Sequence, residues 1–248
     1  MKTLIILHGW QSSKEKWEKV KNNLEEQGIR VILPDLPGFK RETQLSRAWN
    51  LDDYIEWLKN FLKQYENQSR LFLSEAGFQS FFLLGHSFGG RIAIKFAAKY
   101  PEKLNGLILV SSAGIRHKRV LLQNLYHRLI FAIARFGRMF SFLPFYQFIR
   151  KIFYKFIVRK TDYIQAQGNL KETFKKIIEE DLTQYLSQIK TPTLIIWGEK
   201  DKITPLKDAY LMKKEIPNSK LEILKDIKHT PYLENPQILA EKINQFIQ

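Results

Sequence analysis

The sequence contains no cysteine, and no uncharged apolar run approaches the ~20 residues that a membrane-spanning helix needs. The missing thiols exclude disulfide bonds and thiolate metal sites, although they say little about the redox compartment. The apolar run at residues 1–7 is too short for a secretory signal peptide. We therefore expect a soluble, cytoplasmic protein without a metal ion or cofactor.

Acidic residues are absent from residues 103–161, although this stretch holds twelve basic residues. These residues account for most of the net charge of +15. Eleven aromatic residues lie between positions 126 and 156, among apolar residues at helical spacing, and Pro144 would divide two helices. The pattern predicts a basic and aromatic helical segment.

Two interpretations of this segment remain open. Its apolar face could cover a binding site while its basic face is solvated. Alternatively, the basic face could meet an anionic partner, either a membrane surface or an acidic carrier protein, because Phe-rich basic helices suit a membrane interface. The second interpretation would place the protein peripherally at the membrane. Nucleic acid fits less well, since basic charge alone is weak evidence.

The rest of the chain alternates short apolar runs with amphipathic stretches. Strands are predicted at residues 2–7, 29–33, 81–84, 107–110, 193–197 and 220–224. Helices are predicted at residues 17–27, 51–65, 91–98, 206–215 and 236–247. This alternation predicts an α/β protein with a doubly wound, mostly parallel sheet of about six strands.

Residues 85–89 read Gly-His-Ser-Phe-Gly between a predicted strand and a predicted helix. This is the context of a nucleophile elbow, in which a sharp turn lifts the Ser87 hydroxyl clear of the backbone. The glycines two residues before and two after the serine leave room for the turn. The following helix directs free N–H groups at developing negative charge.

Three further positions follow predicted strands at their carboxyl ends: Trp10, Asp201 and His229. In open α/β sheets the reactive groups gather at that edge. Acyl transfer needs a hydroxyl nucleophile, a base, a carboxylate that orients the base, and N–H donors for the oxyanion. Ser87 would attack, His229 would take its proton, and Asp201 would orient the imidazole. The backbone N–H groups of Trp10 and Phe88 would form the oxyanion hole.

Five motifs in this order resemble the α/β-hydrolase superfamily. They are His-Gly-Trp at 8–10, Asp-Leu-Pro-Gly-Phe at 35–39, Gly-His-Ser-Phe-Gly-Gly at 85–90, Trp-Gly-Glu-Lys-Asp at 197–201 and Lys-His at 228–229. The resemblance implies a Ser-His-Asp hydrolase whose core comprises residues 1–114 and 187–248. It also implies a helical cap, here basic and aromatic, at residues 115–186. The family usually begins with two additional strands, and the first residue here falls almost on its third.

The resemblance implies a serine hydrolase that cleaves a carboxylic ester, thioester or lactone through an acyl-enzyme. An apolar acyl substrate would fit under such a cap. Two alternatives remain open: a hydrolase or lyase that cleaves a carbon–carbon bond in a dicarbonyl substrate, and a ligand-binding module without turnover. Serine at position 87 argues against the dehalogenases and epoxide hydrolases of this fold, which carry aspartate there.

Four other titratable residues compete for a role in the site. Asp226 lies three residues before the candidate base and is the alternative to Asp201 as its orienting acid. We expect His8 to brace the oxyanion loop and His86 to pack beside the nucleophile or shape the pocket. Asp35 is expected to order the turn in which it lies.

Overall fold

The computed structural model describes residues 1–72, 80–116 and 168–248, and residues 1–116 and 168–248 form one compact unit. Its six strands are β1 (Thr3–Leu7), β2 (Arg30–Ile32), β3 (Phe81–His86), β4 (Leu104–Val110), β5 (Thr193–Gly198) and β6 (Ser219–Leu224). They form a single sheet in the order β2-β1-β3-β4-β5-β6, and every neighbouring pair is parallel. The predicted α/β fold with about six strands is confirmed.

Helices cover both faces of this sheet. They are α1 (Glu18–Glu25), α2 (Leu51–Phe72), α3 (Phe88–Lys99), α4 (Gly168–Glu179), α5 (Thr183–Leu186), α6 (Leu206–Glu215), α7 (Pro231–Glu234) and α8 (Pro236–Ile247). Short 3₁₀ helices lie at Lys14–Trp17, Arg41–Thr43 and Pro101–Lys103. The sequence predicts α2 to about residue 65 and leaves open whether the helix continues beyond it. The helix continues to Phe72, and no glycine or proline interrupts it there.

The core lies on both faces of the sheet, as β1 illustrates. Leu4 and Ile6 pack into the layer that includes α1 and α8, whereas Ile5 and Leu7 pack into the layer that includes α2 and α3. All four side chains are fully buried. Burial of one such side chain contributes roughly 1.5–3 kcal/mol, so the continuous apolar runs fix the sheet between two helical layers.

Helix α3 also buries two cations, and they connect it to the segment after residue 168. The Arg91 guanidinium donates to the carbonyl oxygens of Ile177, at 2.5 Å, and of Glu180. The Lys95 ammonium lies between the carboxylates of Asp52, at 2.9 Å, and Glu180, at 2.6 Å. These contacts attach α4 and its carboxyl end to the core.

The predicted cap falls largely on residues 117–167, which lie outside the described residues, and its extent stays a prediction. Within the part of the chain that the structure describes, no helix is long and apolar enough to cross a membrane.

Candidate active site

Ser87 occupies a strained turn between β3 and α3. Its backbone angles are φ 50° and ψ −112°, and a non-glycine residue in this region costs roughly 1–3 kcal/mol. Three backbone hydrogen bonds hold the turn: the Ser87 N–H donates to Val110 O at 3.2 Å, and Ser87 O accepts from Gly90 N and Ala113 N, each at 3.0 Å. The local geometry is therefore that of the nucleophile elbow that the sequence predicts.

Gly89 brings the start of α3 against the end of β1. A Cβ atom at this position would lie 2.1 Å from the Leu7 carbonyl oxygen, so no larger residue fits without a backbone shift. This close approach places the first turn of the helix beside the loop that contains Trp10.

Asp201 and His229 meet across the loops that follow the neighbouring strands β5 and β6. The His229 Nδ1 atom lies 2.8 Å from Asp201 Oδ2. Burial alone would raise the pKa of Asp201, but the His229 ring, the Ile203 N–H and the Thr204 hydroxyl stabilise the carboxylate, and the net effect lowers the pKa. Because a carboxylate only accepts, Nδ1 carries the proton in this contact, and the lone pair of an imidazole in this tautomer lies on Nε2.

His86 connects the turn at Ser87 to the pair of Asp201 and His229. It precedes Ser87 in the chain, and its ring centroid lies 5.0 Å from that of His229. Its Nε2 atom lies 2.9 Å from the His229 carbonyl oxygen. Among the described residues, no hydrogen bond joins the Ser87 hydroxyl to the His229 ring. Such contacts are often long before a substrate binds.

The loop after β1 contains Trp10, whose backbone N–H is one of the two predicted oxyanion donors. Neither the Trp10 N–H nor the Phe88 N–H donates a hydrogen bond within residues 1–72, 80–116 and 168–248. The His8 Nε2 atom accepts from the Leu36 N–H at 3.2 Å, so Nδ1 carries the proton and donates to Gly9 O at 2.9 Å. Burial lowers the pKa of His8, which favours the neutral ring.

The contact at Gly9 sets the direction of the Trp10 N–H. Gly9 O and the Trp10 N–H belong to one planar peptide unit, in which they point in opposite directions. When His8 holds the carbonyl on one side, the N–H is presented on the other. The expectation that His8 braces this loop agrees with these distances.

Aromatic rings surround the same loop. The Trp10 ring packs against Phe39, Phe88 and Phe174 at centroid distances of 4.9, 5.3 and 4.9 Å. Phe174, on α4, has no motif that would connect it to the site from sequence alone. Residues 199–203 and 228–230 line a cavity of about 740 Å³ that reaches His229. An apolar wall and a cavity thus lie at one end of the sheet.

The structure distinguishes between Asp201 and Asp226, the two candidates for the carboxylate that contacts His229. Asp226 lies 2.5 Å from the Lys200 ammonium, and its side chain is 63% exposed. Only Asp201 of the pair contacts the His229 ring. Asp35 pairs instead with Lys14 and Lys40, in keeping with a role in its own turn. Within the described residues, no group of three or more His, Asp or Glu side chains could hold a metal ion.

Comparison with known proteins places this geometry in context. A family model described as the alpha/beta hydrolase fold matches residues 2–236. Lipase 1 of Psychrobacter immobilis is 28% identical over 262 residues, covering 98% of this chain and 76% of that protein. Monoacylglycerol lipase ABHD6 of Homo sapiens is 24% identical over 262 residues, covering 99% of this chain and 75% of that protein.

Solved structures show the same fold. An esterase from Exiguobacterium antarcticum superposes with a TM-score of 0.72 and 22% identity, covering all of this chain and 92% of that one. A bacterial membrane phospholipase A superposes with a TM-score of 0.70 and 21% identity, covering 99% of this chain and 78% of that one.

Proposed function

The chain belongs to the α/β-hydrolase family and is a hydrolase, and we propose that it cleaves carboxylic esters through Ser87, His229 and Asp201. The strained elbow at Ser87 carries the proposal. A serine with φ near 50° costs free energy, and its surroundings hold it in that conformation between a strand and a helix. The pair of Asp201 and His229 supplies the base that a serine nucleophile needs.

Acylation would begin when the Ser87 Oγ attacks the ester carbonyl carbon. The His229 Nε2 would accept the hydroxyl proton, and the imidazolium would then be stabilised by Asp201. The carbonyl oxygen would become an oxyanion, and the backbone N–H groups of Trp10 and Phe88 would donate to it. Loss of one such donor costs about 3–4 kcal/mol of transition-state stabilisation.

Collapse of the tetrahedral intermediate would expel the alcohol, which takes the proton from His229. The acyl group would then remain on the Ser87 oxygen. Water would attack this acyl-enzyme with His229 again as the base, and the carboxylic acid would leave. The same groups would act on a thioester or a lactone, because both pass through a similar oxyanion.

We propose that the acyl group is apolar. The rings of Trp10, Phe39 and Phe174 provide an apolar wall next to the proposed oxyanion donors. Relatives named as lipases agree with such a substrate. Residues 115–186 remain proposed as a helical cap whose apolar face covers the site. Its basic face either is solvated or binds an anionic membrane or an acidic carrier protein. Salt-sensitive binding to anionic vesicles, weakened when Arg150, Lys151 and Lys155 become Glu, tests the membrane proposal; unchanged binding would contradict it.

A panel of p-nitrophenyl esters of increasing acyl length tests the function. We expect hydrolysis by the wild-type protein and fluorophosphonate labelling that is lost in Ser87→Ala. Ser187→Ala, at an exposed serine, is the matched control and should keep both. Equal labelling of wild type and Ser87→Ala would refute the role of Ser87, and absence of ester hydrolysis would refute the substrate class.

A further inference from the structure

His86 is a buried titratable residue that the mechanism above does not use. It ends β3, directly before Ser87, and only 2% of its surface is exposed. Its ring packs against Tyr232 at a centroid distance of 4.9 Å and against Trp17 at 5.9 Å. An imidazole in this position costs more to bury than an apolar side chain would, so its polar atoms need an explanation.

The hydrogen bond at Nε2 fixes the state of the ring. A carbonyl oxygen only accepts, so the contact with His229 O at 2.9 Å requires a proton on Nε2 of His86. The Nδ1 atom then carries the lone pair of a neutral ring, and it is buried without a hydrogen-bond partner among the described residues. Burial lowers the pKa of His86 to about 3, so the ring stays neutral.

The His86 ring contacts both the loop that contains His229, the proposed base, and the loop that contains Trp10, a proposed oxyanion donor. On one side it donates to the main chain of His229, the proposed base. On the other side it lies against Gly9, where an added Cβ atom would come within 2.9 Å of His86 Nδ1. Gly9 shares a peptide unit with the Trp10 N–H. His86 therefore lies between the loop of the base and the loop of the oxyanion donor.

We propose that His86 is a positioning residue: its Nε2–H holds the main chain of His229, so that the imidazole stands over the Ser87 hydroxyl. The inference rests on the proposed function, since it concerns the same base and nucleophile. Misplacement of a reacting group by about 1 Å can cost roughly 100-fold in rate, so one main-chain hydrogen bond next to the base can have a large effect.

Three substitutions at His86 distinguish the effect of its hydrogen-bond donor from the effect of its side-chain volume. In His86→Gln the amide nitrogen lies as many bonds from Cβ as Nε2 does, so the donor is kept. In His86→Asn the amide nitrogen corresponds to Nδ1 and does not reach the carbonyl. His86→Leu fills a similar volume without a donor. We expect kcat within about 3-fold of wild type for Gln and lower by about 10- to 100-fold for Asn and Leu, with KM within about 2-fold.

The rate of fluorophosphonate labelling at Ser87 gives a second readout. It should fall in the Asn and Leu variants and remain in the Gln variant, while melting temperatures show which variants are folded. Wild-type rates for Asn or Leu, or a Gln variant as slow as Leu, would overturn the proposal. A wild-type protein that is not labelled would instead refute the proposed function.

A measurement on the wild-type protein does not depend on any variant. Nitrogen-15 NMR of histidine-labelled protein reports which ring nitrogen carries the proton. We expect His86 to be neutral and protonated at Nε2 from pH 5 to 8. A neutral His86 with its proton on Nδ1 would overturn the proposal even if all three variants failed to fold.

Discussion

The two ends of the parallel sheet differ in backbone strain and in the kind of polar side chain that they bury. At the carboxyl ends of the strands lie the described non-glycine residues with positive φ: Gln11, Ser87, Ser111 and Asp226. The same end buries His8, His86 and Asp201, all titratable. At the amino ends of the strands, the buried polar residues that the structure describes are hydroxyl residues such as Thr3, Thr193 and Ser219.

The fold tolerates strained backbone conformations and buried titratable groups at the carboxyl end of the sheet. Each strained residue costs roughly 1–3 kcal/mol, and each buried titratable group adds a desolvation cost. The apolar layers on both faces of the sheet can offset these costs, because their side chains are almost fully buried. Strain and buried charge collect at the end where the proposed chemistry takes place.

The largest effect should come from the buried carboxylate at the carboxyl end. Asp201→Asn keeps the shape of the side chain, but its amide would favour the wrong tautomer of His229. We expect kcat to fall by about 10⁴-fold, measured by steady-state ester hydrolysis. Asp226→Asn is the control on the same loops, since Asp226 is exposed and pairs with Lys200. If both variants lost activity equally, the comparison between buried and exposed carboxylates would be wrong.

A pair of glycine substitutions compares the two ends directly. A Cβ atom at Gly89, at the carboxyl end, would meet the Leu7 carbonyl oxygen, whereas Gly28, just before β2, has φ 80° and open space around it. We expect Gly89→Ala to lower the free energy of unfolding by about 3 kcal/mol or more, and Gly28→Ala by about 1 kcal/mol. Urea unfolding midpoints measure both, and equal losses would contradict the difference between the ends.

A smaller effect should appear in the pH dependence of stability. Burial lowers the pKa of His86 to about 3, so between pH 3 and the unfolded pKa of about 6.5 the unfolded chain binds more protons. The free energy of unfolding therefore falls as the pH drops below about 6.5, by up to about 1.4 kcal/mol per pH unit.

His86→Gln removes this contribution, while the neighbouring titratable groups His8, Asp201 and His229 remain. Between pH 6.5 and pH 5, wild type should lose about 1.6 kcal/mol more than the variant, measured by urea unfolding at each pH. Parallel pH profiles for the two proteins would mean that His86 is not buried as a neutral ring.

The strands and the elbow could be predicted because their signals are local. The run at residues 3–7 is apolar at every position after Thr3, as a strand covered on both faces requires. The glycines at 85 and 89 frame Ser87 within five residues. Pro236 also marks the observed start of α8, where Asn235 Oδ1 accepts from the Ile238 N–H at 3.1 Å.

The remaining features depend on contacts between distant parts of the chain. The sequence motifs favour Asp201 over Asp226 as the partner of His229 but do not exclude Asp226. The observed contact depends on the adjacency of β5 and β6. Arg91 occupies a buried position on α3 because it reaches carbonyl groups near residue 180, a contact that no periodicity on its own helix reveals. The hydrogen bond of His86 likewise spans 143 positions.

The proposed reaction requires that Ser87 becomes covalently acylated at the carboxyl end of the sheet. Rapid mixing with a p-nitrophenyl ester, acid quenching and peptide mass spectrometry test it most directly. We expect a burst of p-nitrophenol and an acyl group on the peptide that contains Ser87. Turnover of the ester with no acylated peptide, or with the acyl group on another residue, would contradict it.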